Sequence, residues 1–246
     1  MIRRLFRRRR APAVPIGTRV YAIGDVHGRL DLLDALLDLI RADTATRPAA
    51  ETKIIQLGDM IDRGPDSAGV VRRIMAGVTW ADLTALCGNH EQAMLDGLAG
   101  DDAMLRLWRT HGGSTALASW GVDPRLARTG DDDAIRAAAD AAIPPAERSW
   151  LATRPLSIRH GDYLFVHAGI RPGIALDQQS PHDMLWIRDD FLNSRRDHGF
   201  VVVHGHTVTP DVAWRANRIG IDTAARASDR LTALGLDGAD RWILST

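Results

Sequence analysis

One form repeated three times limits most what this chain can fold into. A short apolar run leads into a glycine-bearing polar turn, and an amphipathic run follows. Arg19 to Ile23 is the first strand candidate, followed by Leu30 to Ile40 with Leu33, Leu36, Leu37 and Ile40 at helical spacing. Lys53 to Leu57 is the second strand, and a helix is expected over about 67–75. Leu83 to Cys87 is the third, with a helix from Glu91 through Leu98. Strand–helix–strand units of roughly 30 residues imply parallel strands with right-handed crossovers. Their turns then meet at the carboxyl edge of the sheet, where open α/β sheets bind ligands.

The three turns carry chemistry. The first strand ends in Gly24-Asp25-Val26-His27-Gly28, the second in Gly58-Asp59-Met60-Ile61-Asp62-Arg63-Gly64, the third in Gly88-Asn89-His90-Glu91. Glycine beside each polar residue permits the tight turns that aim side chains at one point. Two histidine motifs follow later strands: Val166-His167-Ala168-Gly169 and Val203-His204-Gly205-His206-Thr207.

Between the two halves, residues 100–155 change character. Leu105, Leu107 and Trp108, and the run from Ala134 to Ala139, read as helix, so this stretch is expected to be a helical insertion capping the site. Short strands follow over 156–158, 163–166, 201–203, 212–214 and 218–221. Hairpin turns are expected at His160-Gly161-Asp162 and Ala216-Asn217, and a last strand pair flanks Asp237-Gly238. One α/β domain over 19–246, with two sheets and the insertion, is the simplest account.

The net charge of zero conceals six arginines at positions 3, 4, 7, 8, 9 and 10, ahead of the first acidic residue, Asp25. Residues 1–18 are expected to be a basic, disordered tail, with contact to anionic surfaces as the alternative. The segment after the arginines is too short and proline-rich for a secretory signal, and no run is long enough to span a membrane. Cys87 is the only cysteine, which excludes an intrachain disulfide and a thiolate metal site. A cytoplasmic location is expected.

Taken in order, GDVHG, GDMIDRG, GNHE, VHAG and VHGHT resemble the motif series of the calcineurin-like metallophosphoesterases, in particular the phosphoprotein phosphatases of bacteria and phages. The resemblance implies a β-sandwich of two mixed sheets flanked by helices, with two divalent metals at the sheet edges. By it, Asp25 and His27 resemble ligands of the first metal, Asp59 the bridging carboxylate, and Asn89, His167 and His206 ligands of the second. Such a donor set suits manganese first, or iron, zinc or nickel. Water held between two ions about 3.5–4 Å apart is acidified to near neutrality, and the hydroxide attacks phosphorus in line. His90 resembles the general acid and Asp62 its hydrogen-bonding partner. Arg63 and Arg188 resemble the guanidinium clamps on phosphate oxygens, with Asn89 beside them.

The resemblance leaves three functions to weigh. The leading one is a phosphomonoesterase acting on phosphoserine or phosphothreonine of proteins, or on small phosphoesters. The second is symmetrical hydrolysis of diadenosine tetraphosphate, a branch in which the position of Asp62 is commonly Ala and that of Glu91 commonly Asp. The third, a non-catalytic phosphate-binding module, has no need of an acid. No stable nucleic-acid partner is expected, and oligomeric state is not legible. Several residues have blander readings. His204 is expected to be structural, His111 a turn residue, and Trp108, Trp120 and Trp150 core. Asp222-Thr223-Ala224-Ala225 departs from the pattern the resemblance implies, in which glycines follow Asp-Thr.

Overall fold

The computed structural model describes residues 10–246. β1 (Thr18–Ile23), β2 (Glu51–Gln56) and β3 (Asp82–Ala85) are parallel, joined by α1 (Leu30–Thr46) and α2 (Ser67–Ala76). β9 (Thr232–Asp237) and β10 (Asp240–Ser245) complete the first sheet antiparallel, in the order β10-β9-β1-β2-β3. The second sheet joins β4 (Ser157–His160), β5 (Tyr163–Val166), β6 (Val201–His204), β7 (Ala213–Trp214) and β8 (Arg218–Gly220), in the order β4-β5-β6-β8-β7. Both sheets are mixed, and the expected hairpin turns join β4 to β5 and β7 to β8.

Side chains alternate as strand geometry requires. Val20 and Ala22 face the second sheet and share a core with Tyr163, Phe165, Val203 and Ile219. Tyr21 and Ile23, one residue out of phase, face α1 and α2. Leu164, Val166 and Val202 turn outward onto Phe191 and Met184.

Residues 100–155 are helical, as α4 (Asp102–Trp108), a kinked turn (Arg109–Gly113), α5 (Ser114–Ser119), α6 (Pro124–Thr129), α7 (Asp132–Ala142) and α8 (Pro145–Ala152). Asp101, Asp123 and Asp131 cap α4, α6 and α7 by accepting backbone N–H groups. The buried faces of this insertion (Leu105, Trp108, Leu117, Ile135, Leu151) belong to the same apolar cluster as α1 and α2. Short helices α9 (Pro181–Trp186) and α10 (Asp189–Leu192) lie between β5 and β6, and α11 (Ala225–Ser228) follows β8.

The expected tail needs correcting. Residues 1–9, with five of the six arginines, lie outside the described residues. Ala13 and Val14, by contrast, are buried in the fold. Val14 N–H donates to Gly238 O at 3.0 Å in the β9–β10 turn, and Ala13 N–H donates to Asp162 Oδ2 at 3.0 Å in the β4–β5 turn. The sequence reading missed this because the docking partners lie far along the chain.

Candidate metal centre

The centre is built on unusual backbone. His27, Asp59, Asp62, Arg63 and His206 all have positive φ, between 46° and 76°. Left-handed conformation costs an ordinary residue about 1–2 kcal/mol, so the surroundings must hold each one. Asp59 O accepts from Val26 N–H and His27 N–H, tying the first loop to the second. The buried Glu91 carboxylate accepts from Gly88, Asp59, Met60 and Ile61 N–H at 2.8–3.2 Å, tying the second to the third. Gly205 lies against Asp25, where any Cβ would overlap the carboxylate.

Two groups of donor atoms share Asp59: His27, Asp59 and His90, and Asp59, His167 and His206, each with atoms within 4.8 Å of one another. Asp59 Oδ2 is 3.7 Å from His27 Nε2 and 3.8 Å from His90 Nε2. Its other oxygen, Oδ1, is 3.4 Å from His167 Nε2. One carboxylate therefore presents an oxygen to each group, which is the geometry of a bridge. Asn89 Oδ1 lies 2.9 Å from both His167 Nε2 and His206 Nδ1. Asp25 belongs to neither group. It accepts His206 N–H at 3.0 Å and sits beside Asp59 and Asp222.

The donor set fits divalent metal. His27 Nδ1 and His167 Nδ1 face the carbonyl oxygens of Ile61 and Leu57, both at 2.9 Å. Each Nδ1 carries the donated proton, so in a neutral ring Nε2 keeps its lone pair and points inward. At His167 that lone pair meets the oxygens of Asn89 and Asp59. Such convergence is repulsive until a cation takes it up. His206 Nε2, buried, has no hydrogen-bond partner.

Electrostatics sort the histidines into two kinds. Burial pushes His27 down to about 3 and His206 to about 2, more than the charge of Asp59 restores, and it lowers His167 as well. Burial also opposes the charge on Asp59, but its carboxyl stays below the usual carboxylate range, with His90 the imidazole beside it that carries charge. An anionic bridge with neutral imidazoles is the form a metal takes. Asp25 and Asp222 are raised by burial, Asp222 to about 6.

His90 behaves oppositely. Burial acts to lower it, yet Asp59's charge and the Asp62 hydrogen bond lift it to about 9. Its Nδ1 lies 2.5 Å from Asp62 Oδ2. Arg63 lies against His27 Nε2 at 2.8 Å and His90 Nε2 at 2.9 Å. A proton on His90 Nε2 leaves no lone pair there, so proton and guanidinium exclude one another at that atom.

A cavity of about 190 Å³ opens over these groups. Arg63 and Arg188 line it, with Leu107 and His111 from the insertion and Trp186 from α9. His204 lies outside both groups, buried edge-on against Phe191 at 5.2 Å. Sequence reasoning missed the roles of two residues. Glu91 stands three positions past Gly88, a capping-box position that could have flagged it. Trp108, read as core, donates its indole N–H to Asp62 Oδ1 at 2.9 Å, and no local pattern signals that.

A family model described as calcineurin-like phosphoesterase matches residues 18–237. Serine/threonine-protein phosphatase 1 of Salmonella typhimurium is 30% identical over 222 residues, 87% of this chain and 89% of that protein. A symmetrical bis(5'-nucleosyl)-tetraphosphatase of Methylococcus capsulatus is 33% identical over 153 residues, 62% of this chain and 44% of that protein. Among solved structures, a cold-active protein tyrosine phosphatase superposes with a TM-score of 0.59 at 18% identity, covering 94% of this chain and 81% of that one. A metallophosphoesterase from Sphaerobacter thermophilus gives 0.54 at 18% identity, over 92% and 87%. At that identity the two structures speak for the fold.

Proposed function

The chain belongs to the calcineurin-like phosphoesterase family, and on that premise we propose that it hydrolyses phosphomonoesters, with phosphoserine and phosphothreonine of proteins as its substrates. The family works with two metal ions. In this reading Asp25, His27 and Asp59 hold the first, and Asp59, Asn89, His167 and His206 the second. Two bound ions supply Lewis-acid charge and an activated water, and manganese is the ion proposed for this oxygen and imidazole set. A cytoplasmic location goes with the reading, supported by the lone cysteine; no helix among the described residues is long and apolar enough to cross a membrane.

The protein's own groups do the rest. Arg63 and Arg188 bind the non-bridging phosphate oxygens from the cavity wall, where guanidinium geometry matches two oxygens at once. Their charge is worth most as the transition state spreads negative charge over those oxygens. His90, with Nδ1 held by Asp62, carries a proton on Nε2 and delivers it to the leaving oxygen as the P–O bond breaks.

The Asp62–His90 contact at 2.5 Å carries the choice of substrate. An alkoxide cannot leave without a proton, whereas a nucleotide phosphate can. A held, proton-bearing imidazole therefore serves an alcohol ester, and it has no use in a mere binding module. Half-buried Trp186 at the cavity mouth favours the second reading, dinucleoside tetraphosphate hydrolysis, because a purine could stack on it. After reconstitution with manganese, iron, zinc or nickel, kcat/KM for a phosphoserine and phosphothreonine peptide panel should exceed that for diadenosine tetraphosphate at least tenfold. The reverse order would install the second reading.

A further inference from the structure

We propose that Trp108 is a positioning residue for the reaction, the point at which the helical insertion holds the Asp62–His90 pair in place. Asp62 is fully buried and its carboxylate has two side-chain donors: His90 on Oδ2, and Trp108 Nε1–H on Oδ1 at 2.9 Å. Its backbone N–H donates to Ser67 Oγ at 2.9 Å. The tilt of the His90 ring follows the Asp62 carboxylate, and the indole is what stops that carboxylate turning about its own bond.

The segment after Trp108 is shaped for this contact. The chain leaves α4 through a kink at Arg109–Gly113, where Gly112 takes φ 120°, ψ -6° and breaks the helix. Two consecutive glycines then face the pair. Gly113 lies flush on the indole, where a Cβ would come within 2.5 Å of ring carbons. Gly112, at φ +120°, would bring a Cβ within 2.5 Å of Arg63 N and 3.0 Å of Asp62 Cβ. A single turn thus packs on Trp108 from one side and on Asp62 and Arg63 from the other. Trp108 is 1% exposed, which leaves no face for stacking a substrate.

An indole suits the task for an electrostatic reason. It satisfies a buried carboxylate oxygen without adding charge, so Asp62 keeps its full attraction for the His90 proton. A cation in its place would draw the carboxylate away from the imidazole. Phenylalanine would keep the packing and leave Oδ1 buried without a donor.

The inference rests on the proposed function only in taking His90 as proton donor to the leaving oxygen, and three measurements test it. In the metal-free protein, the indole N–H resonance of Trp108, assigned through its own backbone, should shift upfield in Asp62→Asn; an unmoved resonance overturns the contact. Trp108→Phe should lower kcat about tenfold on a phosphoserine peptide with KM within about twofold, and change p-nitrophenyl phosphate turnover by about twofold or less, because a good leaving group needs little help from an acid. In a His90→Asn background, Trp108→Phe should cost nothing further. Equal losses on both substrates, or an undiminished loss in that background, overturn the proposal. A His90→Asn variant without leaving-group dependence would instead overturn the role given to His90, while the cycle still reads its coupling to Trp108. The resonance test uses intact Trp108 and stands whether or not the phenylalanine variant folds.

Discussion

Two carboxylates lie against opposite ends of the first sheet, and their surroundings differ in kind. Asp43, near the start of β1, accepts from Tyr21 OH at 2.6 Å, Arg47 Nε at 2.8 Å and Trp242 Nε1 at 3.0 Å. The Arg47 guanidinium also stacks 3.5 Å over the Trp242 ring. Asp59, past the far end of β2, accepts one backbone N–H, from His90, on Oδ1, and otherwise looks onto imidazole nitrogens. The first cluster is complete from protein atoms alone and works for stability. The second turns its lone pairs on one another, an arrangement that a bound cation reconciles. Completeness, more than burial, separates a structural polar cluster from a working one.

Exchanging the two carboxylates for amides is the strongest test of that difference. Asp59→Asn should reduce bound metal below two ions per chain and abolish most turnover; elemental analysis still finding two ions would break the bridging assignment. Asp43→Asn should leave turnover unchanged and lower unfolding free energy by about 1–3 kcal/mol, read by urea denaturation. A change in kcat there would mean the clusters are not independent.

Chelation sharpens the comparison from the metal side. Removing metal should lower the melting temperature, since ions at a hundredfold excess over Kd stabilise by about 2.7 kcal/mol. The same treatment should barely move Asp59→Asn. An equal drop in both proteins would place the stabilising ions elsewhere.

Acid should separate the clusters too. Burial raises the Asp43 carboxyl, but its bonds from Arg47 and Tyr21 outweigh that and hold it below the usual carboxylate range. Its folded value lies under its unfolded value, so its stabilisation is complete above about pH 4 and is lost as pH falls through the folded value. The stability–pH curve of metal-free Asp43→Asn should be flatter than wild type over that acid limb. Parallel curves would remove Asp43 from the linkage.

The smallest expected effect lies beside the metal centre. After the Asp-Thr pair Ala224 takes φ 60°, ψ 54°, with its N–H donated to Asp222 Oδ1 at 2.9 Å. Asp229 is left-handed as well, at φ 54°. Ala224→Gly should stabilise by roughly 0.5–1 kcal/mol, the left-handed penalty less the added chain entropy. Destabilisation would show the conformation to be unstrained.

Much of this was legible in advance for a physical reason. Glycine next to Asp or Asn after an apolar run encodes both the turn and its cargo, so the loops of Asp25, Asp59 and Asn89 could be read locally. The orientation of His167 could not, because Leu57 O fixes its ring from a distant strand end. Nor could the indole contact of Trp108, since apolar packing hides a single polar atom. Asp25 illustrates a finer limit: the motif brings it to the centre, but the His206 N–H that its carboxylate accepts lies 181 residues further along the chain.

The docked segment at Ala13 and Val14 has a mechanical consequence. It is pinned to the β9–β10 turn of one sheet and the β4–β5 turn of the other, at the end of the sandwich away from the metal centre. His27, Asp59 and His90 ride on loops of the first sheet, whereas His167 and His206 ride on loops of the second. The distance from Asp59 to His167 and His206 is thus the opening of a pair of jaws, and Ala13 with Val14 forms the rivet at their far end.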